Sequence, residues 1–587
     1  MKHTIKMLAL GTLGLLTACA HMGTGQPGNT VLAELDDITT GSLQNQPAVL
    51  MRNGQPTVLY ATKNGRVALQ QGADRKLIDE TARVQRGGSY FQLKQPQGNT
   101  LQVLWWSHES GKNGYFTTSD DGGASFSRVS MVNSDHQILQ PITWVQGQGN
   151  NLGIAYHDER LPNYQVFFNR STDGGKTWGA QDQRMDTPPL AGRSSFVSEP
   201  QMINAAGAWV VAWVDTIAAA DGAFRVIMRR SVDDGVSWTE PKTIYAGAKH
   251  ISALTVRAQG KYVAIVADEL ERGIFAVTSS DSGEHWTQVP ALAGTEHASN
   301  SGIAADFGPD RLHITWMQER KEQKTRIYAA ALDMTRSNWV TAAQRLDTKD
   351  PENTRSQTPT IIATKAGPVV AAWVDFRDIR TNIYLAYSFD HGGSWTAPQP
   401  LHRPGEQAHG WPQLLSNGDA AALAYELYPT DRVAEGRFIV QNIALPSAEQ
   451  LQSAAAAVPR VSDTQRRARL EQRIKSLWAA RIEADYATAY DYFDFAFKAV
   501  TPKAHYLNSV GVITYINASL DTVIISGNEA KVNMKLRYEV KPTVIPGAPK
   551  PIEVPPVDVD SPNTWVWVKD DWYLVYHPTF DPPMLKY

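Results

Sequence analysis

The chain of 587 residues has a single cysteine, Cys19. One thiol makes no intramolecular disulfide, and no other position can supply thiolate chemistry. An excess of either charge is also missing: 56 basic and 59 acidic residues leave a formal net charge of −3. That balance offers no electrostatic case for a nucleic-acid partner. Histidine pairs at metal-ligand spacing are absent around His108 and His157, so both read as turn residues rather than ligands; no metal or other cofactor is expected. The apolar run Leu8 to Leu16 is too short to span a bilayer as a mature helix.

That run instead belongs to a secretion signal. Met1-Lys-His-Thr-Ile-Lys-Met7 gives the positive region, and Leu16-Thr-Ala-Cys19 closes the segment. The closing word resembles the bacterial lipobox, which implies lipid attachment at Cys19. Ala20 in the next position resembles outer-membrane sorting in proteobacteria. The expectation is a lipid-anchored protein of the bacterial cell envelope, at the outer membrane, with residues 1–19 as signal peptide and the Gly-rich 20–30 as a flexible tether.

One eight-residue word recurs. Ser171-Thr-Asp-Gly-Gly-Lys-Thr-Trp178 returns in similar form at 119–126, 231–238, 279–286 and 388–395, with Asp121, Asp173, Asp233, Asp281 and Asp390 at its third position. An Asp two residues after a Ser can accept backbone N–H groups of its own turn, and the Gly two further on reaches φ > 0 without a steric penalty. The closing Trp or Phe is large enough to pin the turn, so the word reads as a hairpin clip with a structural role. Its serines are spaced by 52, 60, 48 and 109 residues. The last interval is about two periods, and Leu332-Asp-Met-Thr-Arg-Ser-Asn-Trp339 keeps an Asp and a Trp near the missing place. Short strands at such a period indicate propeller blades.

The word resembles the Asp box, or bacterial neuraminidase repeat, of the sialidase superfamily of β-propellers. The resemblance implies an all-β propeller with the boxes on the face opposite the sialidase active site. Sialidases have six blades; eight units are counted here over 31–446, beginning near Pro47, Gly88, Gln140, Glu199, Ile251, Gly302, Pro359 and Pro412, with seven the alternative. The last unit shows three strands, and Thr30 to Leu35 is expected to supply a fourth, which removes an exposed edge.

Residues 447–462 read as a linker and 463–587 as a small α+β domain. Ser462-Asp-Thr-Gln465 has capping-box spacing, and Leu470, Ile474, Leu477 and Trp478 follow at helical intervals. Val532 to Val540 alternates as a strand, and a Pro-rich stretch over 541–562 reads as a loop. Helices followed by a meander resemble the nuclear-transport-factor-2-like (NTF2-like) order.

The turns between second and third strands lie on the face opposite the boxes. There the sequence repeats acid, arginine and aromatic groups, among them Asp158, Arg160, Arg320, Asp375, Arg377, Tyr425 and Glu426. Arg160, Arg320 and Arg377 with Asp158 are the candidate ligand-binding residues, since arginine clamps carboxylates. Tyr425, Glu426 and Asp375 are the candidate catalytic groups, since an acid with a Tyr serves glycoside cleavage of the sialidase type. The bland alternative is that these residues bridge neighbouring blades. Sialidases open their first blade with Arg-Ile-Pro, whose Arg holds the substrate carboxylate; this chain has Gln46-Pro47. Three functions stay open: a propeller binding a glycan or an envelope protein, an exo-acting glycoside hydrolase, and an envelope scaffold.

Overall fold

A computed structural model describes residues 29–40, 46–79, 89–107, 112–134, 138–161, 163–186, 197–215, 223–320, 324–348, 355–365, 367–378, 380–402, 407–417, 420–428, 436–450, 462–494, 497–498, 501–510, 513–543, 552–568 and 571–575. Cys19 and the signal segment lie outside them, as do His108 and most of the linker. Between Thr30 and Ile443 the described chain forms eight antiparallel sheets, seven of four strands and one of five.

The sheets close into a ring. Middle strands such as Ala208–Asp215 are buried along nearly their whole length, because each sheet is covered on both faces by its neighbours. Eight apolar clusters occupy the seams, each pooling side chains from two adjacent sheets. Val58 and Tyr60 of the first blade, for example, pack with Ala424, Phe438 and Val440 of the last. The propeller therefore has eight blades. The last holds Ala408–Asn417, Ala420–Tyr428 and Arg437–Ile443, and Thr30–Leu35 completes it by pairing with Arg437–Ile443.

First strands lie innermost, against those of neighbouring blades. Several carry a β-bulge at the same place, between Ser252 and Thr255, Ser301 and Ala304, Gln357 and Thr360, and Gly410 and Gln413. A bulge bends the strand and re-aims a side chain. In blades six, seven and eight it brings Gly302, Thr358 and Trp411 to one cavity.

Beyond the propeller, Ser462 caps the helix Asp463–Ile482 with both bonds of a capping box, and Leu470, Ile474, Leu477 and Trp478 bury one face of it. That face packs on a four-stranded meander from Ile513 to Val575 with its own core, including Val532, Met534, Trp565 and Trp572. The loop expected over 541–562 is largely absent: Ile552–Val568 is a strand of 17 residues. Pro555 and Pro556 fall where the register shifts between Tyr538 and Val540, so their missing N–H groups interrupt no ladder. The two parts touch where Arg380 comes within 3.8 Å of Asp494.

Candidate functional site

The Asp boxes are spent on structure. In the turn after Asn163–Ser171, Asp173 accepts from Ser171 Oγ at 2.8 Å, Thr177 N at 2.9 Å and Thr177 Oγ1 at 2.6 Å, while Gly175 N donates to Ser171 Oγ at 2.9 Å. The same set recurs at Asp121, Asp233 and Asp390, and His285 takes the Thr177 role at Asp281. Gly175 has φ +86, and a Cβ there would lie 2.1 Å from Phe116 of the previous blade, so both conformation and space demand glycine. Trp178 then meets Phe116 edge-on at 5.6 Å. Hydrogen bonds to Thr177 and Ser171 hold the Asp173 carboxyl below its ordinary range against the opposing effect of burial. Asp173→Ala is expected to cost about 1–3 kcal/mol, read as a lower melting midpoint; an unchanged midpoint would show that the turn holds without its acceptor.

On the opposite face two of the candidate arginines, Arg320 and Arg377, are already engaged. Arg377 grips Asp375 with Nε at 2.9 Å and Nη2 at 2.7 Å, lies 4.4 Å over the Tyr384 ring and donates to Thr348 O. Asp375 is fully buried and also accepts from Trp373 Nε1 at 3.0 Å and Ser356 Oγ at 3.2 Å. Arg320, just past the strand Arg311–Glu319, donates to the carbonyls of Glu296 and Gly294 at 3.0 and 2.7 Å. These bonds tie Arg377 to Asp375 and Thr348 and Arg320 to Glu296 and Gly294. Arg160 lies in the strand Leu152–Leu161, with Asp158 fully buried two residues earlier. His157 also lies in that strand rather than in a turn, because the second and third strands here run on to a tight connection at Leu161 and Asn163.

Tyr425 and Glu426 are adjacent in the strand Ala420–Tyr428, and a pleated strand sends successive side chains to opposite faces. Tyr425 points into the seam between blades seven and eight, where its hydroxyl meets His402 Nε2 and Gln441 Oε1, each at 2.9 Å. Burial pushes that phenol well above its usual range. Glu426 is directed the other way, accepting from Gln46 Nε2 at 3.2 Å and from Tyr428 Oη. The expected pairing of Tyr425 with Glu426 is not formed.

What the mouth does hold is a cavity of about 660 Å³ between blades six, seven, eight and one. Trp411, Thr358 and Gln357 form part of its wall, and Lys324, Arg355 and Glu319 bring charge to it. Gln46, at the place of the sialidase arginine, also reaches it. Trp411 and Thr358 are bulge residues with φ of +52 and +48. Equivalent positions in blades five and six are Ala253 and Gly302, with φ of +55 and +59. The template needs a left-handed residue there, and two neighbouring blades fill it with bulky ones at a cost of about 1–3 kcal/mol each. Trp411 is 6% exposed, and its Nε1 has no hydrogen-bond partner; neither do the buried Gln357 Oε1 and Thr358 Oγ1. Sequence reasoning used Pro359 and Pro412 as blade starts and missed the residues before them. The readable signal was a Trp where sister blades have Ala or Gly.

Residues 163–317 match the profile of the BNR repeat-like domain. That stretch runs from the third blade into the sixth. Comparison with curated protein sequences found no match. Among solved structures, the chain is similar to a sialidase of Streptococcus pneumoniae at 9% identity, covering 71% of this chain and 92% of that one with a TM-score of 0.32. It is similar to an ulvan lyase at 9% identity over 62% and 97% of the two chains, TM-score 0.40, and to an α-L-arabinanase of Penicillium chrysogenum at 14% over 53% and 95%, TM-score 0.32. Values this low say nothing of chemistry, so the cavity is argued from its own residues.

Proposed function

We propose that the BNR propeller is a glycan-binding module, and that lipid on Cys19 holds it at a bacterial envelope. The observation that carries the first part is the mouth cavity of about 660 Å³, whose wall joins the Trp411 indole to Gln357 and Thr358 and to the charged Glu319 and Lys324. A polyhydroxylated ligand suits so mixed a wall, because its hydroxyls meet polar side chains while its apolar ring faces cover an indole. Cleavage of the sialidase type finds less support, since Tyr425 and Glu426 diverge and Asp375 is saturated by donors. Purified full-length protein is expected to retain glycans on an array and to release no sialic acid from a fluorogenic sialoside. Sialic acid release abolished by Glu426→Gln would install the hydrolase reading instead.

The anchor rests on the Leu16-Thr-Ala-Cys19 word alone. Buried acyl CH₂ groups supply membrane attachment, so Cys19→Ala is expected to leave an unprocessed or soluble species that takes up no palmitate label. Labelling of the variant at the wild-type level would remove the lipid from the proposal.

A further inference from the structure

The direction of the closing strand fixes where the chain enters the ring. Each box turn follows a third strand, so Ile443, which ends the third strand of blade eight, marks the box face. Thr30 pairs with Asn442 and Leu35 with Phe438, so Thr30–Leu35 starts at the box face and runs toward the mouth. Asn29 lies at the same end, its Oδ1 accepting from Ala444 N at 3.0 Å. Ten residues separate it from Cys19.

The C-terminal domain meets the other end of the blades. Arg380, which comes within 3.8 Å of Asp494, begins the strand Arg380–Ser388 of blade seven, and the box of that blade follows Ser388. The contact is therefore on the mouth side. Both partners are buried, and separating a buried pair strands its charges, so the contact holds the domain there.

We infer that the lipid-anchored chain stands with its Asp-box face toward the bilayer, and with the mouth cavity and the C-terminal domain directed away from it. The inference rests on the Cys19 anchor and is independent of the glycan reading. A flexible chain of ten residues has a mean reach of about 17 Å and a limit of about 35 Å. With the box face down that reach suffices, because the chain enters on the near side. With the mouth down the tether would first have to climb the blade, about 30 Å for a strand such as Ala420–Tyr428. That climb alone draws it nearly taut, and a domain roughly 30 Å across on the mouth side adds to the distance. The turns of the box face also carry exposed apolar side chains, Val232 and Val236 in blade four, 66% and 65% exposed, and Phe389 in blade seven. Blade four lies across the ring from blade eight, where the tether enters, so a bilayer beneath this face gives those side chains an apolar boundary on the far side of the ring.

The test places the full-length lipoprotein on phosphatidylcholine liposomes that carry an acceptor dye on a fraction of their headgroups. Lipid occupies the thiol of Cys19, so a cysteine introduced elsewhere is the single labelling site. Donor dye at Val236→Cys or Phe389→Cys reports the box face. Dye at Lys63→Cys or Leu270→Cys reports the mouth side, since both residues lie in turns between second and third strands. Two positions on each side keep the comparison should one variant fail to fold. Energy transfer to the bilayer is expected to be severalfold greater from the box-face pair. Equal transfer from the two pairs, or greater transfer from the mouth pair, on liposome-bound protein would overturn the orientation and leave the anchor standing. Protein that does not float with the liposomes would overturn the anchor and the orientation with it.

Discussion

Asp375→Ala is expected to lower stability by about 3–5 kcal/mol, because removing one partner of a buried ion pair leaves the other charge uncompensated. Arg377 would keep its place over Tyr384 while losing both carboxylate oxygens, and Trp373 Nε1 and Ser356 Oγ would lose an acceptor in the same step. Such orphaned donors carry the desolvation cost of their own burial. The readout is the thermal midpoint of the propeller together with glycan binding measured well below it. A large fall in midpoint with binding preserved at low temperature marks Asp375 as a blade anchor. An unchanged midpoint with lost binding would return it to the ligand site.

Mild acid is expected to weaken the propeller between pH 6.5 and about 4. Burial lowers both His313 and His402 from 6.5 to about 4. His409, stacked on His402 with ring centres 4.6 Å apart, is held well below its usual value by burial and by its neighbour. Above pH 6.5 both folded and unfolded chains carry these rings neutral, and stability is whole. As pH falls below 6.5 the unfolded chain takes up protons that the folded chain refuses, so stability declines until the folded pKa is reached. Each of His313 and His402 contributes about 3 kcal/mol over that window. Asp268, raised by burial to about 6, gains its proton more readily when folded and offsets part of the loss. Melting midpoints across the window check this, and His313→Phe is expected to flatten the decline. A midpoint independent of pH from 7 to 4 would show that these rings are not buried neutral.

The parts of the fold that were legible in the sequence are those that depend on neighbours in the chain. The box is one turn whose acceptor, donor and left-handed glycine lie within eight residues, so its chemistry can be read from the letters alone. Its period then gives the ring and the strand Thr30–Leu35 that closes it. The site was less legible because it depends on side-chain direction. Tyr425 and Glu426 are adjacent in sequence and therefore opposed across the sheet, an argument the strand pattern already contained. Arg320 and Arg377 looked like a clamp from composition, but whether an arginine reaches a channel or a neighbouring carbonyl is decided by loops such as 294–296 that no local pattern describes. Pro555 and Pro556 suggested a loop because the register shift that tolerates them is set by the partner strand.

Closure of the ring has a consequence in time. Thr30–Leu35 is the first of the described strands to be made, and its partner Arg437–Ile443 comes some four hundred residues later. During synthesis seven blades can form pairwise seams in order, each from contacts within one or two periods, while the first strand waits without a partner. Contacts of such long sequence separation form slowly. A nascent or partly folded chain therefore presents two open surfaces, the outer edge of Arg437–Ile443 and the face of the first blade around Val58 and Tyr60. Those are the surfaces on which two incomplete copies would exchange strands.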